Sequence, residues 1–321
     1  MAHSLSPSFR GILLAGFVLA SPCLVAQTPG QSASPRFDPV PLSRYTDSTW
    51  PLGIDLGPST GISFGDYDAD GWVDLFAFSS GHLWRNLEGT GWELAADLDS
   101  ILPWAAVRYG SSFGDYNADG LPDIATEPRV GGGDDCLHIL RNLGGGPFFE
   151  DIATNPALLD YQPCGAMSET ICWADVDGDL DLDLFLPTYP DHGSIDNQFL
   201  HNRGPTGPGG QFRFTEESGQ AGLKIPDGAD RPEGCQFLDT DGDGDLELYS
   251  NGHLYRNLST FDQPLFEFLK ASSSGIRLRA ITDEGALFLD HDLDGDYDLL
   301  VSYTSGRGVR LWESQGDGTF V

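Results

Sequence analysis

Carboxylates recur along this chain at a spacing that makes an oxygen cage. Asp66, Asp68, Asp70 and Asp74 are set around Gly71, and Asp115, Asn117, Asp119 and Asp123 around Gly120. Asp175, Asp177, Asp179 and Asp183 keep the spacing with Leu180 in the glycine's place. Asp239, Asp241, Asp243 and Glu247 follow around Gly244, then Asp290, Asp292, Asp294 and Asp298 around Gly295. Counted from the first acid, oxygen donors stand at positions 1, 3, 5 and 9, with glycine at 6. Alternate side chains then point inward, and the glycine provides the left-handed turn that lets the loop close. The backbone carbonyl at position 7 (Trp72, Leu121, Asp181, Asp245, Asp296) is the expected further ligand. A hard, all-oxygen donor set with no His or Cys at a ligand position selects Ca²⁺ over Mg²⁺ or Mn²⁺. One Asp/Gly-rich turn would be ordinary turn chemistry. Five copies in register are a repeated site.

The helical calcium loop is excluded on two grounds. It needs a bidentate Glu at position 12, where this chain has Ala77, Thr126, Leu186, Ser250 and Val301, and it needs flanking helices. Here the flanks alternate as strands do: Val73, Leu75 and Ala77 interleave with Asp74, Phe76 and Phe78. Three departures weaken particular copies. Leu180 in a left-handed turn costs about 1–2 kcal/mol, so the third site is expected to bind weakly or to reshape around Gly178. Asn117 lowers the charge of the second site, and Glu247 lengthens position 9 in the fourth.

The loops require strands to hold them, and each is embedded in one grammar: a short strand, the loop, an alternating strand, a turn, a third strand ending in Arg-Asn or its like, and a fourth. The third strand reads Gly81-His-Leu-Trp-Arg85-Asn86-Leu87 in the first unit and Gly252-His-Leu-Tyr-Arg256-Asn257-Leu258 in the fourth, which points to duplication. The same slot holds Arg141-Asn142, His201-Asn202 and Glu313-Ser314 in the others. Fourth strands are expected at 92–95, 148–151, 212–215, 265–268 and 318–321. Loop starts are separated by 49, 60, 64 and 51 residues, with the surplus in Gly/Pro-rich turns at 144–147 and 203–211. Four strands per repeat at this period predict an all-β fold, a β-propeller of four-stranded blades with five calcium-loop repeats.

The motifs Phe64-Gly65-Asp66-Tyr67-Asp68-Ala69-Asp70-Gly71 and Phe113-Gly114-Asp115-Tyr116-Asn117-Ala118-Asp119-Gly120 resemble the FG-GAP and VCBS repeats of integrin alpha-chain propellers and of many secreted bacterial proteins. The resemblance extends over 44–321. It implies calcium in the hairpin between the first and second strand of each blade, and a role in extracellular binding or adhesion. Rings of that family usually have seven blades. Either five blades close here, with a strand around Tyr45–Ser48 beside the last, or the ring is incomplete and the ending Gly316–Val321 opens a further strand.

Bulk properties agree with a folded, exported chain. The 321 residues are 40% hydrophobic and 11% aromatic, enough for a core, and the net charge is −32. Nineteen of the 49 acids sit at the loop positions, and the surplus left after cation binding opposes nucleic acid and anionic lipid. Arg10 followed by the apolar Gly11–Ala20 reads as a signal peptide over 1–26, too short to be a transmembrane span. Pro22 argues against a lipid anchor on Cys23. The Ser/Pro/Gln/Gly-rich segment 27–43 reads as a linker. Cys136, Cys164, Cys172 and Cys235 are expected to form two disulfides in an oxidising compartment, with three connectivities open.

Other residues carry structural expectations. His82, His138 and His253 share one register in different blades, as duplication requires. His291, at position 2 of its loop, is expected to face solvent. Trp72, Trp84 and Trp312 are read as packing between blades, and Arg85, Arg141 and Arg256 as ties to neighbouring blades. No nucleophile elbow, phosphate loop or Ser/His/Asp order stands out. The expected function is a secreted or periplasmic calcium-stabilised module that binds an extracellular protein or glycan. The alternative is a carbohydrate-active lyase or hydrolase on the same scaffold.

Overall fold

The computed structural model describes residues 61–78, 80–98, 101–102, 108–128, 136–164, 170–187, 196–224, 234–250, 252–276, 283–303 and 308–321. The expected leader, the linker and the strand near Tyr45–Ser48 lie outside these residues.

The strands form five antiparallel sheets in chain order, each a meander. Blade 1 is β1 (Ser63–Gly65), β2 (Asp74–Ala77), β3 (His82–Asn86) and β4 (Trp92–Asp97). Blade 2 is β5 (Arg108–Gly114), β6 (Asp123–Pro128), β7 (His138–Asn142) and β8 (Phe149–Asp151). Blade 3 is β9 (Cys172–Ala174), β10 (Asp183–Leu186), β11 (Gln198–Asn202) and β12 (Phe214–Glu216). Blade 4 is β13 (Cys235–Leu238), β14 (Glu247–Ser250), β15 (His253–Asn257) and β16 (Phe266–Leu269), followed by the one-turn helix α1 (Ala271–Ser274). Blade 5 is β17 (Asp283–Leu289), β18 (Asp298–Tyr303) and β19 (Val309–Trp312). Its expected fourth strand is reduced to the bridge Ser314–Phe320, held by paired bonds between Glu313 and Val321. Connections of two to eleven residues within a blade keep each strand beside its predecessor.

First strands of successive blades pack side by side, β1 on β5, β5 on β9, β9 on β13 and β13 on β17. That is the radial order of a β-propeller. Among the described residues no comparable packing joins β17 to β1.

The core lies between blades. The second strands of blades 1 to 4 are buried on both faces, so adjacent residues serve different neighbours. On β6, Ile124 packs with Phe76 and Leu83 of blade 1, while Ala125 packs with Trp173 and Leu184 of blade 3. On β10, Leu184 faces blade 2, and Phe185 joins Leu248 and Tyr255 of blade 4. On β14, Tyr249 turns to Leu299 and Val301 of blade 5. The Phe-Gly pair before each of the first two loops has a packing reason. A Cβ on Gly65 would stand 2.4 Å from the Phe113 ring, and one on Gly114 would stand 2.7 Å from Trp173. The missing side chain is what lets the next blade's aromatic seat against the backbone.

The four cysteines pair as Cys136–Cys164 and Cys172–Cys235. The second bond joins β9 to β13 and so ties blade 3 to blade 4.

Candidate metal centres

Each acidic loop joins the first strand of a blade to the second. Positions 4 and 6 both adopt positive φ: 56° and 91° at Ala69 and Gly71, and 65° and 101° at Leu293 and Gly295. Leu180 does so as well, at 75°. The third loop is therefore not reshaped around Gly178, which simply fills position 4; Leu180 accepts the strain and keeps the same fold.

The carboxylates divide the work of closing the loop. Position 1 caps the turn: Asp66 accepts bonds from the N–H groups of Asp70 and Gly71 at 3.0 and 2.8 Å. Asp175 does the same for Asp179 and Leu180 at 3.1 Å each. Position 5 accepts the N–H of position 7, as Asp70 does from Trp72 at 2.9 Å. Position 9 sits beneath the loop at the start of the second strand. Asp74, fully buried, accepts from Tyr67 at 3.1 Å and from Asn86 at 2.8 Å. Asp123, Asp183 and Glu247 repeat this arrangement.

Positions 1, 3 and 5 converge at the loop mouth. In blades 1, 4 and 5 one oxygen each from Asp66, Asp68 and Asp70, from Asp239, Asp241 and Asp243, and from Asp290, Asp292 and Asp294 lies within 4.8 Å of the others. Two buried oxygens there, Asp68 Oδ1 and Asp290 Oδ1, have no hydrogen-bond partner. The donor set and these unsatisfied oxygens fit a hard divalent cation. In blade 2, Asn117 turns its Oδ1 to the Asp119 N–H at 3.0 Å. Position 9 lies outside these three clusters, its oxygens facing backbone donors; in blade 5 Asp298 forms a separate group with His291 and Asp292.

Burial governs the titration of the position 9 acids. It pushes Asp74 up to about 7 and Asp123 up to about 8, against the backbone bonds that pull them down. It raises Asp183 well above the usual carboxylate range and raises Glu247 as well. At Asp298, burial acts upward but is outweighed by the bond to His291, and the result is a lowered pKa. His291 is exposed, as expected, and from that position its Nδ1 lies on Asp298 Oδ2.

Two further expectations are corrected. Arg85 and Arg141 do not bridge blades: Arg85 folds back over its own loop, with Nε 2.6 Å from Asp68 and Nη2 2.9 Å from Asp70, and Arg141 pairs with Glu150 of its own blade. Trp72 is 42% exposed, with its ring beside Gly89, whereas Trp312 is buried. The histidines of the common register have separate surroundings: His138 with Asp151 at 2.8 Å, His253 edge-on to Phe268, His82 edge-on to Trp84.

The tie that repeats between blades is the asparagine that follows the arginine slot. Asn142 donates its Nδ2 to the Tyr67 carbonyl of blade 1 at 2.7 Å, Asn202 to Tyr116 of blade 2 at 2.8 Å, and Asn257 to Val176 of blade 3 at 2.8 Å. Each also donates to position 8 of its own loop, at 3.1–3.2 Å. One amide thereby links two neighbouring cages. The signal was present in the sequence as an Asn recurring at 86, 142, 202 and 257, but the adjacent charge drew the reading instead. His201, in the arginine slot of blade 3, was missed too.

Among known protein families, residues 66–126 match the FG-GAP-like repeat. No curated protein matches the chain. Among solved structures, the crystal structure of the V. cholerae biofilm matrix protein Bap1 matches with a TM-score of 0.42 at 15% identity, covering 81% of this chain and 38% of that one. The chain thus spans well under half the length of that protein.

Proposed function

Starting from a chain that is a β-propeller of FG-GAP-like repeats, we propose that it is a secreted module that binds an extracellular protein or glycan, with calcium in its loops as a structural fastener. The observation that carries this is the repeated convergence of three carboxylates at the loop mouths of blades 1, 4 and 5, with blade 2 keeping the same loop and one amide fewer charges. Calcium would be held by positions 1, 3 and 5 and the position 7 carbonyl of those four blades. It would neutralise clustered charge and stiffen the hairpins that the asparagines link. Two disulfides agree with an oxidising destination. No helix among the described residues is long and apolar enough to cross a membrane.

A cleft of about 600 Å³ beside the blade 1 loop is the place for a ligand. Asp68, Arg85, Glu93 and Leu94 line one side and Gly144–Pro147 of blade 2 the other, so its floor is fixed by one blade and its rim by a hairpin that varies between repeats. Two measurements test the proposal. Chelator is expected to lower the melting temperature sharply, and an unchanged melt would remove calcium from the account. An array of glycans and extracellular proteins probed with and without Ca²⁺ is expected to show calcium-dependent retention that Arg85→Ala weakens. Turnover of a polysaccharide in the same array would replace the binding role with a catalytic one.

A further inference from the structure

Blade 3 departs from its siblings where the arginine slot holds His201. In blade 1 the guanidinium of that slot lies on positions 3 and 5. In blade 3 the imidazole takes the same course, with Nε2 3.3 Å from Asp177 Oδ2 at position 3. Asp179 at position 5 and Asp262, from the β15–β16 hairpin of blade 4, complete the group. One ligand atom from each of Asp177, Asp179, His201 and Asp262 lies within 4.8 Å of every other. Nε2 and Asp262 Oδ1 are 3.8 Å apart.

The side chains of Asp177 and His201 are fully buried. Both carboxylate oxygens of Asp177, and Nε2 of His201, lack any hydrogen bond; the 3.3 Å approach between them is not aligned as one. Leaving these groups so is costly unless something fills the space between them.

The other face of the ring is fixed. His201 Nδ1 lies 3.1 Å from Glu217 Oε2. The Glu217 carboxylate is itself held by the Thr215 hydroxyl at 2.8 Å and by Arg203. A carboxylate can only accept, so Nδ1 carries the proton and, in the neutral ring, the Nε2 lone pair is presented to the three aspartates. A carboxylate behind a histidine in this way raises its basicity and sets its orientation as a metal ligand. Arg203 also holds Asp262 at 3.0 Å, so the fourth donor is steered toward the group from the neighbouring blade.

We infer that blade 3 carries a mixed nitrogen and oxygen site for a first-row transition dication, Zn²⁺ foremost, bound by Asp177, Asp179 and His201 together with Asp262 of blade 4. Imidazole suits zinc, whereas calcium takes oxygen donors. The ion would join two blades already tied by Cys172–Cys235 and by Asn257 on the Val176 carbonyl. The site stands apart from the calcium assigned to the other four loops, because its selecting residue lies on the third strand and not in the loop.

The test uses the full chain with its disulfides intact, saturated with Ca²⁺, titrated with Zn²⁺ alone and then dialysed against calcium buffer. One zinc per chain is expected to remain. His201→Arg installs the side chain that blades 1, 2 and 4 carry in this slot; its circular dichroism should be unchanged and its zinc lost. Asp262→Asn, on an exposed hairpin, should weaken zinc by about tenfold or more and serves alone if the first variant misfolds. Co²⁺ in place of Zn²⁺ should give ligand-field bands that His201→Arg abolishes. Zinc displaced by calcium, or zinc retained at full stoichiometry by both variants, would overturn the inference. A calcium melt that fails to respond to chelator would count against the structural role of the other loops and leave the zinc count as it is.

Discussion

Leu180 shows how a single residue can carry the strain of a repeated loop. Its φ of 75° is the conformation that glycine supplies in the other four copies, and its side chain is 81% exposed, so the leucine gives back little burial for the cost. Replacing it with glycine relieves a left-handed penalty of about 1–2 kcal/mol while adding about 0.5–1 kcal/mol of unfolded-state entropy. Leu180→Gly is therefore expected to stabilise the chain modestly, by about 0.5–1 kcal/mol, read as a rise in the denaturant midpoint at constant slope. A fall in the midpoint would mean that the exposed leucine makes contacts the structure does not show. At the same scale, one imidazole in place of one guanidinium separates blade 3 from its siblings. Neighbouring charge decides what that slot does: Arg85 pairs with one oxygen of each of two loop carboxylates, whereas His201 leaves both oxygens of a buried aspartate without a hydrogen bond.

At the scale of the element, the hairpin loop and the third strand form one unit. The third-strand Asn sends its N–H to position 9, its Nδ2 to position 8 and, in blades 2 to 4, to position 2 of the blade before. Asn142→Ala removes two donations and leaves the Tyr67 and Pro122 carbonyls unpaired in a partly buried place. The expected loss is about 2–3 kcal/mol. Asn86→Ala removes the own-loop donation to Val73 at 3.0 Å but no bond to a preceding described blade, so it should cost about 1 kcal/mol less. Equal losses for the two variants, measured by denaturant titration, would show that the interblade bond is energetically idle. The arrangement also explains why the loops are in register. Each cage is positioned by the strand that follows it and by the next blade.

At the scale of the whole molecule, the ladder of buried position 9 acids makes stability depend on pH in an unusual direction. Asp74 and Asp123 have folded values of about 7 and about 8 against 3.8 for a free side chain. Between those limits the folded chain holds more protons than the unfolded one, so stability falls as pH rises. Chelator-treated protein is expected to melt at progressively lower temperature from about pH 4 to about pH 8. Added Ca²⁺ at the loop mouths should restore more stability at the alkaline end, where the deprotonated position 9 acids add to the negative charge that the ion offsets. A chelated protein whose melt improves over that interval would contradict the burial of these groups. Period and side-chain type are local properties of the chain, so the repeat was legible in the residues: five loops, their oxygen donors, the strand on each side and hence the propeller. Three features came only with the packing of the blades. It chose Cys136–Cys164 and Cys172–Cys235 among the possible pairings, it gave the repeated tie to the preceding blade to the asparagines and not to Arg85 or Arg141, and it brought Asp262 to His201 across 61 residues. Each depends on which blade lies beside which and on how far a side chain reaches, and a linear spacing encodes neither.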